Sequence, residues 1–241
     1  FVKLTKTSAP IRLTASHLRI DWPTLWSILK IGLPAGIQSA VFAVSNIVIQ
    51  SAINSLGKVV MAASGAAYNI EIFTYDIVNS FTQACTTFVG QNYGAGKINR
   101  CKKTLALCLL EGALILASAI FIVLFFGKNL LAVFNSDPEV VAAGYTRLMM
   151  AMVSHSFCLL YEVMSGYLRG FGISLVPAVL TTAGVCGVRI LWIEFVFPKI
   201  PTFQTIMIAY PVSLSVTALL MFIALLCCRP AKKAEKLKCT A

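Results

Sequence analysis

The sequence is poor in charged residues and histidine, and each shortage argues against a class of protein. Only 12% of its 241 residues are charged, against about 25% in typical water-soluble domains. It has two histidines, His17 and His155, and no HExxH, CxxC or Ser-His-Asp pattern, so we predict no enzymatic activity. Its eight cysteines show no metal-ligand spacing with histidine, and we interpret them as small buried apolar residues. We therefore expect no cofactor and assign no metal site.

What the sequence has instead is six apolar stretches of bilayer length. Hydrophobic residues make up 58% of the chain, and the mean hydropathy is +0.83. A helix crosses the membrane with about 20 apolar residues. The stretches are continuous rather than alternating, which favours helices over a barrel. We predict an all-α membrane protein with spans at Ser27–Ala52, Met61–Gly90, Leu105–Phe126, Glu139–Leu168, Ser174–Phe197 and Gln204–Cys228.

The basic residues are divided unevenly between the two sides of the predicted membrane. Fifteen of the twenty lie at one set of span ends, and Arg189 lies inside a span. The opposite ends hold Lys58, Lys128, Arg147 and Lys199. Since Lys and Arg accumulate in cytoplasmic loops, we place both termini in the cytoplasm of a multi-pass protein of the inner or plasma membrane. The same distribution explains the net charge of +11 without nucleic-acid binding.

The loops are short and leave no room for a soluble domain. Residues 1–18 are predicted to be a cytoplasmic linker arriving from something upstream, residues 19–229 the six-helix region, and residues 230–241 a basic cytoplasmic tail. We therefore expect the chain to be part of a longer protein. Asp21 and Asp137 each precede a proline within two residues, which predicts a capped helix start. Three prolines inside the spans are expected to bend their helices and are our hinge candidates: Pro34, Pro177 and Pro211.

Polar and ionisable side chains recur inside the predicted spans, where a charge costs about 3 kcal/mol or more. In the second span they form two stripes, and matching stripes occur in the first and fourth spans. Such stripes either border a wet cavity or hold helices together through hydrogen bonds. Arg189 is either a structural ion-pair partner or a substrate ligand. The candidate substrate- or cation-binding residues are Glu71, Tyr75, Asp76, Asn79, Glu162, Arg189, Asn46 and Gln50.

Four motifs occur in a fixed order along the chain. They are IGLPAGIQS (Ile31–Ser39), VGQNYGAGK (Val89–Lys97), GYLRGFGISLVP (Gly166–Pro177) and GVCGVRILW (Gly184–Trp192). Together they closely resemble the multidrug and toxic compound extrusion (MATE) transporter family, and their order and spacing resemble its carboxy-terminal six-helix lobe. The resemblance covers the chain from Arg19 to Arg229.

The resemblance implies a fold, an activity and a partner. Family members have twelve helices in two six-helix lobes around a central cavity, related by an axis along the membrane normal. They exchange cationic or amphiphilic organic compounds for Na⁺ or H⁺. The expected partners are therefore an organic cation or drug-like substrate, the lipid bilayer and an amino-terminal six-helix lobe of the same protein.

The chain departs from the cation site of sodium-coupled members. Those members carry an acid early in the first helix of this lobe, where Ala40–Val44 contains none. They carry another acid three turns before the Leu-Arg-Gly arginine, where Cys158 stands here and Glu162 follows one turn later. Glu71 or Asp76 could replace the site together with Glu162, the coupling acid could lie in the first lobe, or coupling could be unconventional. We favour the second alternative, with these three acids as cavity polarity.

Other functions remain open at this point. A six-helix membrane protein could be a channel or a lipid-linked sugar flippase of the same superfamily, alone or as a homodimer. The chain could also be a fragment that does not transport, because half a cavity cannot alternate between two sides.

Overall fold

Long helices account for nearly all of the described chain. The computed structural model describes residues 20–232 and 234, so the linker assigned to residues 1–18 and most of the predicted tail lie outside it. The first four helices are α1 (Trp22–Ser55), α2 (Lys58–Gly94), α3 (Ile98–Phe134) and α4 (Pro138–Gly170). The fifth segment consists of α5 (Leu175–Thr181), a π-helical turn (Thr182–Gly187) and α6 (Val188–Phe195), and a 3₁₀ turn (Phe197–Lys199) leads to α7 (Phe203–Cys228).

Each predicted span falls within one of these helical segments, except that the predicted fifth span begins at Ser174, one residue before α5. Both predicted helix starts are confirmed. The Thr24 amide donates to the Asp21 carboxylate over 3.0 Å, and hydrogen bonds from Thr24 hold the pKa of this exposed carboxyl below its ordinary value. The Glu139 amide donates to the Asp137 carboxylate over 2.9 Å. In both cases the side chain satisfies an N–H that has no partner inside the helix.

Five segments in the described part of the chain are long and apolar enough to cross a membrane. They are Trp22–Ser55, Ile98–Phe134, Pro138–Gly170, Leu175–Lys199 and Phe203–Lys232. Helix α2 has 37 residues and is long enough, but its polar stripes keep it out of this group. The fold is therefore that of an all-helical, multi-pass membrane protein in which one long helix is unusually polar.

Helix α4 is the centre of the bundle. It packs against α2, α3 and α7, and most of its surface is buried. The main core joins these helices to the π-helical turn, with Val78, Leu116, Leu168, Val185 and Met221 among its members. Helix α1 packs mainly on α5 and α6 and leaves many large apolar side chains exposed. One side of the bundle is thus open.

The three prolines differ in their helical surroundings. Pro34 and Pro211 lie in the interiors of α1 and α7. Pro177 is the third residue of α5, where a backbone N–H would have no intrahelical partner in any case. The expected kink in mid-span is therefore not at Pro177. The irregular part of this segment is the π-helical turn, which begins at Thr182.

Candidate functional site

A cavity of about 900 Å³ opens on the exposed side of the bundle, with walls from α1, α2, α4, α6 and α7. This volume lies within the range of about 300–1,000 Å³ that is typical of small-molecule sites. The structure brings all eight sequence-predicted candidates to its lining: Asn46, Gln50, Glu71, Tyr75, Asp76, Asn79, Glu162 and Arg189. The stripe of Tyr68, Glu71 and Tyr75 on α2 and most of the polar stripes of α1 and α4 border this cavity. The second stripe of α2 contributes only Asp76, and its other members lie outside the lining: Asn69, Ser80, Gln83 and Thr87.

The first two helices supply the exposed part of the lining. Asn46 and Gln50 are one helical turn apart on α1, and the Gln50 amide donates to the Asn54 side chain over 2.8 Å. Tyr75, Asp76 and Asn79 are exposed on α2. The Asp76 carboxylate makes no hydrogen bond or ion pair with any residue that the structure describes, and it is available to a ligand.

A buried ion pair joins α2 to α4 at the base of the cavity. The Arg147 guanidinium donates to Glu71 Oε2 from Nε over 3.1 Å and from Nη2 over 2.9 Å, and it also donates to the Ser64 hydroxyl. Arg147 is 5% exposed, and the side chain of Glu71 is 13% exposed. The sequence-based placement of Arg147 at an outer span end is therefore wrong, since nine residues of α4 precede it.

The position of Arg147 could have been found from the sequence. It lies eight and eleven residues before His155 and Cys158, so it extends the polar stripe of α4 by two turns. About 14 Å of helix separates it from the start of α4. A guanidinium at that depth needs a carboxylate, and the second span supplied candidates. Tyr161, Arg169 and Tyr210 also line the cavity and were not among the candidates.

A second buried arginine lies beside the first. Arg189 follows the π-helical turn, and its Nε donates to the Ser213 hydroxyl of α7 over 3.0 Å. Its guanidinium lies 4.3 Å from the centre of the Tyr210 ring, and the Arg147 guanidinium lies 5.9 Å from the same ring. Both distances are within the range of cation–π attraction.

The backbone of the fifth segment determines where Arg189 points. A methyl group on Gly184 would lie 2.4 Å from Thr217 Oγ1, so this glycine permits a close approach to α7. The π-helical turn widens the helix by one residue, which rotates the following residues by about 100° relative to a regular helix. The indole N–H of Trp192 donates to the Thr205 carbonyl over 2.8 Å and fixes α6 against α7.

The remaining ionisable groups lie on one face of α4. Glu162 is partly buried, and Arg169 lies two turns further along the same face. His155 is buried, with Nδ1 2.7 Å from the Ala151 carbonyl of its own helix. Cys158 is buried, and its thiol lies 3.6 Å from the Tyr161 hydroxyl. Within residues 20–232 and 234, no three His, Cys, Asp or Glu side chains come together as a metal site.

Comparison with known proteins agrees with this architecture. The probable multidrug resistance protein NorM of Chromobacterium violaceum is 28% identical over 169 residues, which cover 70% of this chain and 36% of that protein. The probable multidrug resistance protein YoeA of Bacillus subtilis is 23% identical over 226 residues, covering 92% and 49%. The chain thus spans at most about half the length of these relatives.

The fold is that of half a MATE structure. A crystal structure of MATE in complex with MaL6 superimposes with a TM-score of 0.79 at 14% identity, covering 96% of this chain and 51% of that one. The sequence model of the MatE family matches residues 34–193, about two thirds of the chain. The chain therefore belongs to the MatE family of multidrug and toxic compound extrusion transporters.

Proposed function

We propose that this chain is the carboxy-terminal six-helix half of a secondary antiporter that exports drug-like organic compounds in exchange for Na⁺ or H⁺. The observation that carries the proposal is the cavity of about 900 Å³, which is lined by both carboxylates and guanidinium groups in a chain of this family. A set of charges at membrane depth is expected where a transporter handles polar solutes.

The open side of the bundle supports a second lobe. Helix α1 exposes Trp22, Trp26, Leu33 and Ile47, and its polar residues Asn46 and Gln50 line the cavity on the same open side. An amino-terminal six-helix lobe placed there would cover the polar wall and leave the apolar surface to lipid and helix contacts. The spacing of the four motifs favours the carboxy-terminal position for this chain.

The three acids that line the cavity, Glu71, Asp76 and Glu162, differ in their ion-pair partners, and this bears on which of them could bind the coupling ion. Glu71 is already neutralised by Arg147, whereas Asp76 makes no ion pair with a described residue and Glu162 lies beside the exposed part of the cavity. An ion that drives transport must bind the two conformations with different affinity. A carboxylate locked in a buried ion pair is poorly suited to this, which argues against Glu71. We keep the coupling acid in the other lobe and assign Asp76 and Glu162 to cavity polarity.

Transport in vesicles tests this proposal. The complete protein is reconstituted, and movement of the fluorescent cation rhodamine 123 is followed with a Na⁺ gradient or a proton gradient imposed separately. We expect exchange with one of the two gradients and its loss when that gradient is dissipated. Movement that ignores both gradients would refute the antiporter.

A double variant tests the assignment of the coupling acid to the other lobe. Changing Asp76 to Asn and Glu162 to Gln together should lower the affinity for the dye but leave the gradient dependence in place. Loss of gradient dependence at unchanged dye binding would place the coupling acid in this chain instead.

A further inference from the structure

The cavity wall contains a buried cation that has no carboxylate partner among the described residues. Arg189 is 6% exposed and lines the cavity. Its partners among the described residues are the Ser213 hydroxyl, which accepts from Nε, and the ring of Tyr210. No described carboxylate lies within 4 Å of it. Four of its five N–H groups therefore have no acceptor in this part of the chain.

Arg147 provides the comparison within the same cavity. It is buried to the same degree, contacts the same ring, and has a carboxylate and a hydroxyl as hydrogen-bond acceptors. Among the described residues, Arg147 thus has acceptors for three of its five N–H groups, a carboxylate among them, whereas Arg189 has an acceptor for one. A guanidinium cannot lose its proton to escape the cost of burial.

We propose that Arg189 binds an anionic group of the transported compound, a carboxylate or a phosphate. The planar guanidinium donates two parallel hydrogen bonds to such groups. The ring of Tyr210 and the Ser213 hydroxyl hold it in place and leave its Nη atoms to the ligand. This inference rests on the proposed transport function and specifies its substrate.

The rest of the cavity narrows the class of compound further. Phe42, Tyr68 and Tyr75 offer aromatic surface, and Asp76 and Glu162 can accept from a cationic group. A compound that pairs with both the guanidinium and the carboxylates of the cavity is an amphiphilic zwitterion. Its acid group would lie at Arg189 and its amine toward Asp76 or Glu162. A simple organic cation would leave Arg189 unpaired.

Two dyes that differ in one group test the inference. Rhodamine 110 carries a free carboxylate, and rhodamine 123 is its methyl ester. Binding of each to the purified complete protein is measured by fluorescence anisotropy. We expect the acid to bind about tenfold more tightly than the ester, because one charge-assisted pair is lost in the ester. An acid-to-ester ratio of one or below in the wild type overturns the proposal, whatever the variants do.

Three variants identify the residue responsible. Arg189→Gln should abolish the acid preference, and Arg189→Lys should reduce it, because an ammonium group lacks the two-pronged geometry. Arg169→Gln removes another cavity cation and should leave the preference in place. A preference that survives Arg189→Gln, or that disappears only in Arg169→Gln, refutes the role of Arg189. If the Gln variant does not fold, the wild-type ratio and the Lys variant decide.

Transport separates this inference from the function on which it rests. Gradient-driven movement of rhodamine 123 with no preference for the acid overturns the role of Arg189 and leaves the antiporter standing. Preference for the acid in binding, without gradient-driven movement of either dye, supports the anion site and refutes the antiporter.

Discussion

Removing the carboxylate of Glu71 should destabilise this protein more than removing the guanidinium of its partner Arg147. In Glu71→Gln the side chain keeps its size, but Arg147 loses its counter-charge while it stays buried between α2 and α4. In Arg147→Met the remaining carboxylate borders the cavity and, at 13% side-chain exposure, can be hydrated. The guanidinium of Arg147 also borders the cavity, but it is only 5% exposed and cannot become neutral.

The structure sets the size of this difference. Breaking a buried ion pair by removing one partner costs about 3–5 kcal/mol. Since Glu71 retains 13% exposure, we expect the lower end, about 3 kcal/mol, for Glu71→Gln. For Arg147→Met we expect about 1–2 kcal/mol, the value of hydrogen bonds lost at a group that can still reach water. The double variant should cost about 1 kcal/mol, mainly through the Ser64 hydroxyl that is left without its donor.

Unfolding by SDS in mixed micelles, followed by the fluorescence of the three tryptophans, measures these free energies. Asp76→Asn is the matched control, because it removes a carboxylate from the same helix that has no ion-pair partner among the described residues; it should change stability by less than about 0.5 kcal/mol. The reasoning is refuted if Glu71→Gln is no more harmful than Asp76→Asn. It is also refuted if the double variant costs the sum of the two single changes.

Three further outcomes follow from packing and exposure. Gly166→Ala should cost about 1–3 kcal/mol, because its methyl would lie 2.7 Å from the Thr82 carbonyl, whereas Gly65→Ala meets nothing within 4 Å and should be neutral or stabilising in the same SDS titration. Ser165→Ala should be neutral or stabilise by up to about 1 kcal/mol, since its buried hydroxyl has no partner among the described residues. A destabilisation of about 1 kcal/mol would show instead that the hydroxyl has a hydrogen-bond partner. Maleimide labelling followed by mass spectrometry should modify the exposed Cys227 and spare the buried cysteines of the folded protein, and equal labelling of all of them would contradict the packing.

Local patterns in the sequence were sufficient to predict the helices. Apolar runs of bilayer length can only be helices when they do not alternate, and the caps at Asp21 and Asp137 depend on residues next to them in the chain. The candidate site was predictable to the same extent. Stripes of polar residues must be covered or wetted, and one stripe of α2 and most of those of α1 and α4 line one cavity. The second stripe of α2 reaches the cavity only through Asp76.

Which acid pairs with Arg147, and where the π-helical turn lies, could not be read from such patterns. Arg147 and Glu71 are 76 residues apart, and their contact exists because α2 and α4 are neighbours in space. Gly184 adopts its close contact because Thr217 of α7 lies against it. Both features depend on which helices pack together, and a single sequence contains that information only through the whole fold.

The two arginines at the base of the cavity, Arg147 and Arg189, each hold one pair of helices together. The pair of Arg147 with Glu71 ties α4 to α2, and the bond of Arg189 to Ser213 ties α6 to α7. Tyr210 of α7 lies against both guanidinium groups, 4.3 Å from that of Arg189 and 5.9 Å from that of Arg147. One side chain of α7 therefore packs both against α6 and against α4, the helix at the centre of the bundle.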